Sequence, residues 1–492
     1  MSLDLLLINP GGRNRIYQAL GDEFTAIEPP LWARLIAGYC IDKGWTVEIL
    51  DAEAEGIGPD EVARRVCAKA PRLVGMVVFG HQPSASTQQM VAASEACWAI
   101  KDQCPGQKII IVGGHVSALP KHTLAEEDVD YVCDGEGPVT IDGLLRGHDA
   151  ATIPGLAWRD GDTIRKNPPA PLIDINQLHG NAWRLLPMEK YRAHNWQCFG
   201  DLDTRQPYAA ICTSLGCPFK CAFCCINAPF HANRYRMRAP EFVVAEIDML
   251  HSTYGVKTFK IVDEMFVLND RHVRAICEGL AAKPYASELN IWAYARVDTV
   301  KAGRLPLLRR AGIRWLALGI ESGSAHVREG ADKAFGQDDI FATVRAIQAA
   351  GINVIGNFIF GLPDDTHETM RATLGLAKQL NCEFANFYAA MAYPGSALYS
   401  DAIRRGAALP ASWSGYSQHS YDTHPLSTAT LSPAEVLAFR DDAFHDYFDD
   451  PRYRTMVGRK FGLATRLHIQ RMTAHRLDRA LLAVGRRKLP AA

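Results

Sequence analysis

Three cysteines in the stretch CTSLGCPFKCAFCCIN constrain the fold of this chain most, because their thiolates can share one inorganic centre. They follow a C-x3-C-x2-C spacing: Cys217, Cys221 and Cys224. Three thiolates this close can hold three irons of a [4Fe–4S] cluster and leave the fourth iron open for chemistry. Phe223 and the turn at 216–218 fit a loop wrapped round such a cluster. The alternative is a structural zinc knuckle with His231 or Cys225 as the fourth ligand.

Length and composition indicate a globular protein of two or three domains. The chain has 492 residues, of which 48% are hydrophobic and 22% are charged. The net charge of −1 gives no bulk attraction for nucleic acid or for an anionic membrane, so we expect neither as a partner. The start MSLDLLLINPGG does not resemble a signal peptide, and no apolar run reaches the roughly 20 residues of a spanning helix. Thirteen cysteines without a secretory signal favour the reducing cytoplasm, most of them as buried apolar residues.

Residues 1–145 alternate between apolar, strand-like runs and helical patterns. The runs lie at 4–10, 46–52, 73–80, 108–114 and 131–137. This alternation predicts an α/β domain with a doubly wound parallel sheet. Ligands of such sheets bind at the carboxyl ends of the strands. The loops at those ends contain these candidate binding residues: Asn9, Pro10, His81, Ser84, Gly113, Gly114, His115, Gly135 and Glu136.

The rest of the chain divides into three further parts. Residues 146–206 are predicted to be a connector with a short hairpin whose two-residue turn is Asp160–Gly161. Residues 207–405 return to strand–helix alternation and predict a partial (β/α)6 barrel with its site at the carboxyl ends of the strands. Residues 406–492 form a mainly helical C-terminal segment.

The cysteine stretch resembles the cluster loop of the radical S-adenosylmethionine (SAM) superfamily. In that superfamily the open iron takes the amino and carboxylate groups of SAM, and the resemblance extends over the whole predicted barrel. It implies SAM contacts from these residues: Asp263, Glu264, Arg296, Glu321, Ser322, Phe360 and Gly361. The simpler interpretations are that the acidic pair caps a helix and that Arg296 and Glu321 form a structural ion pair.

The N-terminal domain resembles the cobalamin-binding domains attached to radical SAM enzymes. The resemblance is carried by IVGGHVSALP, by DGEGP and by the proline-led helix IEPPLWARLIAGYC. Taken singly, each glycine pair is equally an ordinary turn between strand and helix. Many such domains carry Asp-x-His-x-x-Gly, whose histidine binds cobalt from below, and this chain lacks it. We therefore expect cobalamin without a histidine ligand, with His81 or a neighbour near its lower face.

Together the two resemblances imply a cobalamin-dependent radical SAM methyltransferase that moves a methyl group from methylcobalamin to a substrate radical on carbon or phosphorus of a small molecule. An external electron donor of the flavodoxin or ferredoxin type is implied as a partner. No catalytic side chain is assigned. The alternatives are an oxidative cyclase or rearrangement enzyme without methylation, and a non-enzymatic cobalamin or redox sensor. A methylthiotransferase with a second cluster at Cys40, Cys67 and Cys97 is disfavoured, because Cys40 and Cys97 lie within helical patterns.

Overall fold

A computed structural model describes residues 2–21, 23–80, 83–333 and 335–486. The N-terminal domain contains a seven-stranded sheet in the order β2-β1-β3-β4-β5-β6-β7. Its strands are β1 (Leu5–Asn9), β2 (Val47–Asp51), β3 (Leu73–Val78), β4 (Ile109–Gly113), β5 (Tyr131–Cys133), β6 (Leu156–Asp160) and β7 (Thr163–Lys166). β1 to β5 pair in parallel, which confirms the predicted doubly wound sheet.

Helices cover both faces of the parallel part of this sheet, so β1 to β5 are largely buried and mostly apolar. The helices are α1 (Arg13–Tyr17), α2 (Leu31–Asp42), α3 (Ala52–Glu55), α4 (Pro59–Lys69), α5 (Pro83–Gln103), α6 (Gly114–Ala118), α7 (Pro120–Glu126) and α8 (Pro138–Leu145). α2 and α8 pack on one face, and α4, α5 and α7 pack on the other. Residues alternate between the two cores, as Leu5 and Leu7 do against Leu6 and Ile8.

The predicted hairpin exists, but its turn is one residue further along. Asp160 pairs with Thr163, so Gly161 and Asp162 form the turn. The correction has a simple cause, since Gly161 takes a positive φ of 61° in the turn while Asp160 is still held by strand pairing. β6 also pairs with β5, so the hairpin extends the N-terminal sheet and does not form a separate connector.

The second sheet is the predicted partial barrel. Its six strands run in the order β15-β14-β13-β12-β11-β8, and all neighbours are parallel. They are β8 (Tyr208–Ile211), β11 (Thr258–Ile261), β12 (Asn290–Arg296), β13 (Ile313–Glu321), β14 (Asn353–Phe360) and β15 (Phe384–Ala389), and a short antiparallel pair, β9 (Ser214–Leu215) and β10 (Arg236–Met237), flanks the cysteine stretch. The helices are α9 (Pro240–Tyr254), α10 (Asp270–Ala281), α11 (Leu305–Arg310), α12 (Ala325–Gly330), α13 (Gln337–Ala349), α14 (His367–Leu380) and α15 (Ala397–Arg405).

The C-terminal segment packs against β15, an edge strand of this sheet, and against the connector. It contains α16 (Pro433–Phe448), α17 (Pro451–Ala474) and α18 (Ala480–Arg486), which confirms the prediction of a mainly helical segment. Ser432 caps α16 in a capping box with Glu435. A loop before α16 pairs with the end of β15, where the Gln418 side chain accepts from the Ala389 N–H at 2.8 Å and donates to its carbonyl at 2.9 Å. Within the described residues, none of the helices has both the length and the apolar character needed to cross a bilayer.

A buried ion triad joins the two sheets. Arg34 of α2 and Arg238 donate to opposite oxygens of Glu246 on α9, at 2.8 and 2.6 Å. The side chains are only 0%, 2% and 3% exposed for Arg34, Arg238 and Glu246. Trp183 of the connector donates to the same carboxylate at 2.9 Å and stacks under Arg34. The interface between the domains therefore depends on all three charges, because removing one would leave a buried charge without its partner.

The cysteines outside the cluster stretch are mostly buried, as expected, with one pair as the exception. Cys67 at the end of α4 and Cys104 after α5 are joined as a disulfide, with 5.9 Å between their Cα atoms. Cys40 and Cys97 lie in the cores on opposite faces of the N-terminal sheet. These positions do not form a second cluster site.

Candidate active site

The three cysteines lie on a loop, residues 216–230, which we call the cluster loop. The Asn227 side chain fixes its start, since it accepts from the Cys217 N–H at 3.2 Å and donates to the Cys217 carbonyl at 2.9 Å. A tight turn follows, in which the Cys224 N–H donates to the Cys221 carbonyl at 3.0 Å. Gly216 begins the loop with φ of 84°, and a Cβ there would lie 2.2 Å from the Arg234 carbonyl oxygen, so only glycine fits.

The surroundings of the cysteines bear on the choice between a [4Fe–4S] cluster and a single zinc ion. Within the described ranges, no group of three or more His, Cys, Asp or Glu side chains is placed to hold one metal ion. A cube does not need that convergence, because each thiolate binds its own iron. His231, a candidate zinc ligand, is instead 2.7 Å from Asp134 of the N-terminal domain. Cys225 lies in the same loop but is buried, whereas the three predicted ligand cysteines are partly exposed.

Two cations from the barrel lie beside the cluster loop. Arg296 at the end of β12 places Nη1 3.6 Å from the Cys221 sulfur and stacks on Phe219 at 3.9 Å. Asp298 orients it through hydrogen bonds of 3.0 and 3.1 Å. Burial raises the pKa of the Cys221 thiol, and Lys333 and Arg296 oppose that rise. Positive charge therefore favours the thiolate form that binds iron.

Glu321 forms an ion pair, as the simpler interpretation held, but its partner is Lys333 and not Arg296. It ends β13 at a bulge and takes a positive φ of 66°, which is a strained conformation for glutamate. The Lys333 ammonium lies 5.6 Å from the ring centre of Phe223 in the cluster loop. Sequence reasoning missed Lys333, since its loop carries no motif and is remote from the cysteines along the chain.

Asp263 and Glu264, which follow β11, have different surroundings. Asp263 is buried and accepts from the Thr213 N–H and hydroxyl and the Ser214 hydroxyl at 2.5–2.6 Å, so it supports the strand before the cluster loop. Glu264 lines a small cavity beside the loop, and burial raises the pKa of its carboxyl to about 7. Neither residue caps a helix. A role in SAM binding stays a prediction for both.

The remaining predicted SAM residues point into the packing behind the site. The Ser322 hydroxyl lies 3.1 Å from the Thr373 hydroxyl of α14. Phe360 packs against Phe387 and Phe439, on the helical side of β14. A Cβ on Gly361 would lie 2.5 Å from Val436 of α16. These residues can approach a ligand at the cluster loop only through their backbone atoms.

The carboxyl edge of the N-terminal sheet faces the cluster loop across the small cavity. This cavity has a volume of about 60 Å³, and Gly80, Gly114, Cys225 and Glu264 are among its lining residues. A Cβ on Gly114 would only touch Ser86 at 3.6 Å, so the position has room. A Cβ on Gly113 would lie 2.1 Å from the Val78 carbonyl oxygen. Gly113 therefore serves the close approach of β3 and β4, and its contact with cobalamin stays a prediction.

Asn9, Pro10, Gly135 and Glu136 also lie at this edge. Asn9 donates to Asp51 at 2.7 Å, and both Asn9 and Pro10 line a larger cavity that enters the barrel. The Gly135 N–H donates to Ser117 at 3.1 Å. Glu136 is paired with Arg236 of β10 at 2.5 Å, and so ties this edge to the flank of the cluster loop.

His115 is buried on α6. Its Nδ1 lies 3.2 Å from the Thr87 hydroxyl, and its ring meets the edge of Trp413 from the C-terminal loop at 4.4 Å. Its buried Nε2 has no hydrogen-bond partner among the residues that the structure describes. An unsatisfied polar atom beside the predicted cofactor loops fits a ligand there. His81 lies outside the described residues, as does the side chain of Ser84, so those predictions stay open.

Two family models match the chain. The B12 binding domain matches residues 17–145, and the radical SAM superfamily matches residues 211–377. A protein of Pyrococcus horikoshii described as an uncharacterized methyltransferase is 29% identical over 420 residues, which are 84% of this chain and 86% of the relative. An anaerobic magnesium-protoporphyrin IX monomethyl ester cyclase of Synechocystis is 29% identical over 339 residues, which are 66% of this chain and 63% of the cyclase.

Solved structures share this architecture. The radical SAM methyltransferase TsrM from Kitasatospora setae, with cobalamin and a [4Fe–4S] cluster bound, superposes with a TM-score of 0.69 at 19% identity, covering 92% of this chain and 90% of TsrM. The cobalamin-dependent radical SAM enzyme OxsB, with aqua-cobalamin and SAM bound, gives 0.68 at 13% identity, covering 96% of this chain and 72% of OxsB. At these identities the likeness establishes the fold.

Proposed function

Because this chain belongs to the cobalamin-dependent radical SAM enzymes, we propose that it transfers a methyl group from SAM, by way of cobalamin, to carbon or phosphorus of a small-molecule substrate. Its cofactors are cobalamin, a [4Fe–4S] cluster and SAM. The observation that carries the proposal is that the glycines at the carboxyl edge of the N-terminal sheet and the cluster loop line one cavity. Cofactors held by these two elements would therefore be close to each other.

The cofactors supply two kinds of chemistry when bound, reductive cleavage of SAM at the cluster and methyl donation from cobalt. The chain's residues hold and orient these groups. The cluster cysteines would hold three irons, and Arg296 and Lys333 supply positive charge beside them. The barrel must keep water and stray hydrogen donors away from the reacting groups. An external one-electron donor of the flavodoxin or ferredoxin type completes the proposal.

The second candidate is an oxidative cyclase that uses the same cofactors without methyl transfer. The similarity to the Synechocystis cyclase favours it. The cluster loop does not distinguish the two reactions, because both would use a [4Fe–4S] cluster and SAM.

The products of SAM distinguish the two candidates. A methyltransferase turning over its substrate should form S-adenosylhomocysteine and 5′-deoxyadenosine in equal amounts, with a substrate mass gain of one CH2. We expect this result from anaerobic assays of reconstituted protein with candidate substrates, analysed by mass spectrometry. 5′-Deoxyadenosine formed with a modified substrate but without S-adenosylhomocysteine would establish the cyclase type instead.

A further inference from the structure

The larger cavity extends from the N-terminal sheet edge into the barrel and has a volume of about 350 Å³. Its barrel wall is aromatic and amide-rich, with Trp292, Tyr294, Asn357 and Asn386. The amides are already ordered, since Asn386 donates to Asn357 at 2.9 Å and Asn357 donates to the Leu318 carbonyl at 3.1 Å. This wall suits the body of an aromatic or apolar molecule with a few polar groups.

The acidic side chains lining this cavity are matched by cations. Arg13 pairs with Glu53, Arg15 pairs with Glu95, and Lys260 pairs with Glu28. These pairs cancel in charge, so they supply no net attraction for a charged ligand.

Arg440 of α16 differs, because its carboxylate partner is shared. It donates to Asp441 at 2.8 Å and to the Phe387 carbonyl at 2.8 Å, and it lines the cavity. Arg479 donates to both oxygens of the same Asp441 at 2.8 and 2.9 Å. Two buried guanidinium groups thus share one carboxylate, which leaves an excess positive charge at the cavity wall. A buried excess charge is costly unless a partner of opposite sign binds there.

We propose that this cavity binds a substrate with an anionic group, a carboxylate or a phosphate, and that Arg440 receives that group. That the bound molecule is the substrate rests on the proposed function. That the cavity binds an anion does not depend on it. A guanidinium is the side chain best suited to either anion, since it donates paired hydrogen bonds in a plane. His419 lines the cavity on the same C-terminal loop and offers a further polar contact.

The position of Tyr388 relates this anchor to the reacting centre. Tyr388 lines the cavity on β15, and it packs against the same buried side chains as Phe223 of the cluster loop. A substrate anchored at Arg440 can therefore extend past Tyr388 towards the cluster loop, with the anionic group remote from the reacting atom.

Matched pairs of ligands test the proposal on the full chain loaded with cluster, cobalamin and SAM. The probes are 4-hydroxyphenylacetate and indole-3-acetate, each against its primary amide, and phenyl phosphate against phenol, measured by ligand-observed NMR titration. We expect at least one anion to bind about tenfold or more tightly than its neutral partner, a difference of about 1.4 kcal/mol. Equal binding within every pair, or no anion binding up to millimolar concentration, would overturn it. An absence of anion binding is also the result expected if the phosphate of cobalamin already occupies Arg440.

Variants assign the effect to Arg440. Arg440→Gln should abolish the preference for the anion, and Arg440→Lys should retain part of it. Asp441 keeps its two hydrogen bonds from Arg479 in both variants, so no buried carboxylate is left unpaired. Arg405→Gln, at a largely exposed arginine of α15, is the matched control and should keep the preference. A preference that survives Arg440→Gln would contradict the assignment, whether or not the protein proves to be a methyltransferase.

Discussion

Removing the Glu246 carboxylate should loosen the junction between the two sheets more than any surface change. Glu246→Ala leaves Arg34 and Arg238 buried without their shared partner, and their side chains are at most 2% exposed. Breaking a buried ion pair in this way costs about 3–5 kcal/mol. At about 1.36 kcal/mol per decade, opening of the junction should become favoured by at least about a hundredfold.

Hydrogen exchange measured by mass spectrometry is the suitable assay, because a multidomain protein lacks a single unfolding free energy. Peptides from α2 and α9 should exchange at least about a hundredfold faster in Glu246→Ala, while peptides from β13 and β14 should change little. Glu61→Ala is the control, because Glu61 pairs with Arg64 and Arg65 at the surface, and it should leave all rates unchanged. Unchanged exchange in α2 and α9 would refute the account of the triad.

Three further predictions concern the site. Alanine at all three cluster cysteines should remove the iron and SAM cleavage, whereas Cys225→Ala should keep both, as iron analysis of reconstituted protein would show. Gly114→Leu should lose cobalamin and keep the iron, while Gly113→Ala should lower the melting temperature, because only the latter Cβ meets strand backbone. Burial lowers the pKa of the His115 imidazole to about 3. Below pH 6.5 the unfolded state therefore binds a proton at this histidine, and the folded state does not. Stability should therefore fall as pH decreases from 6.5, and less so in His115→Asn; equal slopes in thermal denaturation would contradict this.

The sequence predicted both sheets, because their strands are apolar runs ended by Gly, Pro or Asp, and this pattern is local. The cluster loop was predicted for the same reason, since its three cysteines are close along the chain. The turn after Asp160 was placed one residue early, because strand pairing and not the Asp-Gly step sets the register.

Contacts between distant segments could not be predicted in this way. Lys333 reaches Glu321 and the cluster loop only because the bulge in β13 turns Glu321 towards it. Gly113 and Gly114 are neighbours in one motif, yet a Cβ on Gly113 would strike strand backbone, whereas a Cβ on Gly114 would only touch Ser86. The excess positive charge at Arg440 arises because Arg479 shares Asp441 with it, and only tertiary packing brings Arg479 to Asp441.

The most direct test of the central claim follows the methyl group without needing the substrate. Anaerobically reconstituted protein, with cobalamin bound and reduced to the cob(I) state, is mixed with SAM that carries a trideuterated methyl group. Cobalamin extracted in the dark should carry that labelled methyl group, with an equal amount of S-adenosylhomocysteine. Unlabelled cobalamin together with 5′-deoxyadenosine as the nucleoside product of SAM would contradict the methyltransferase account.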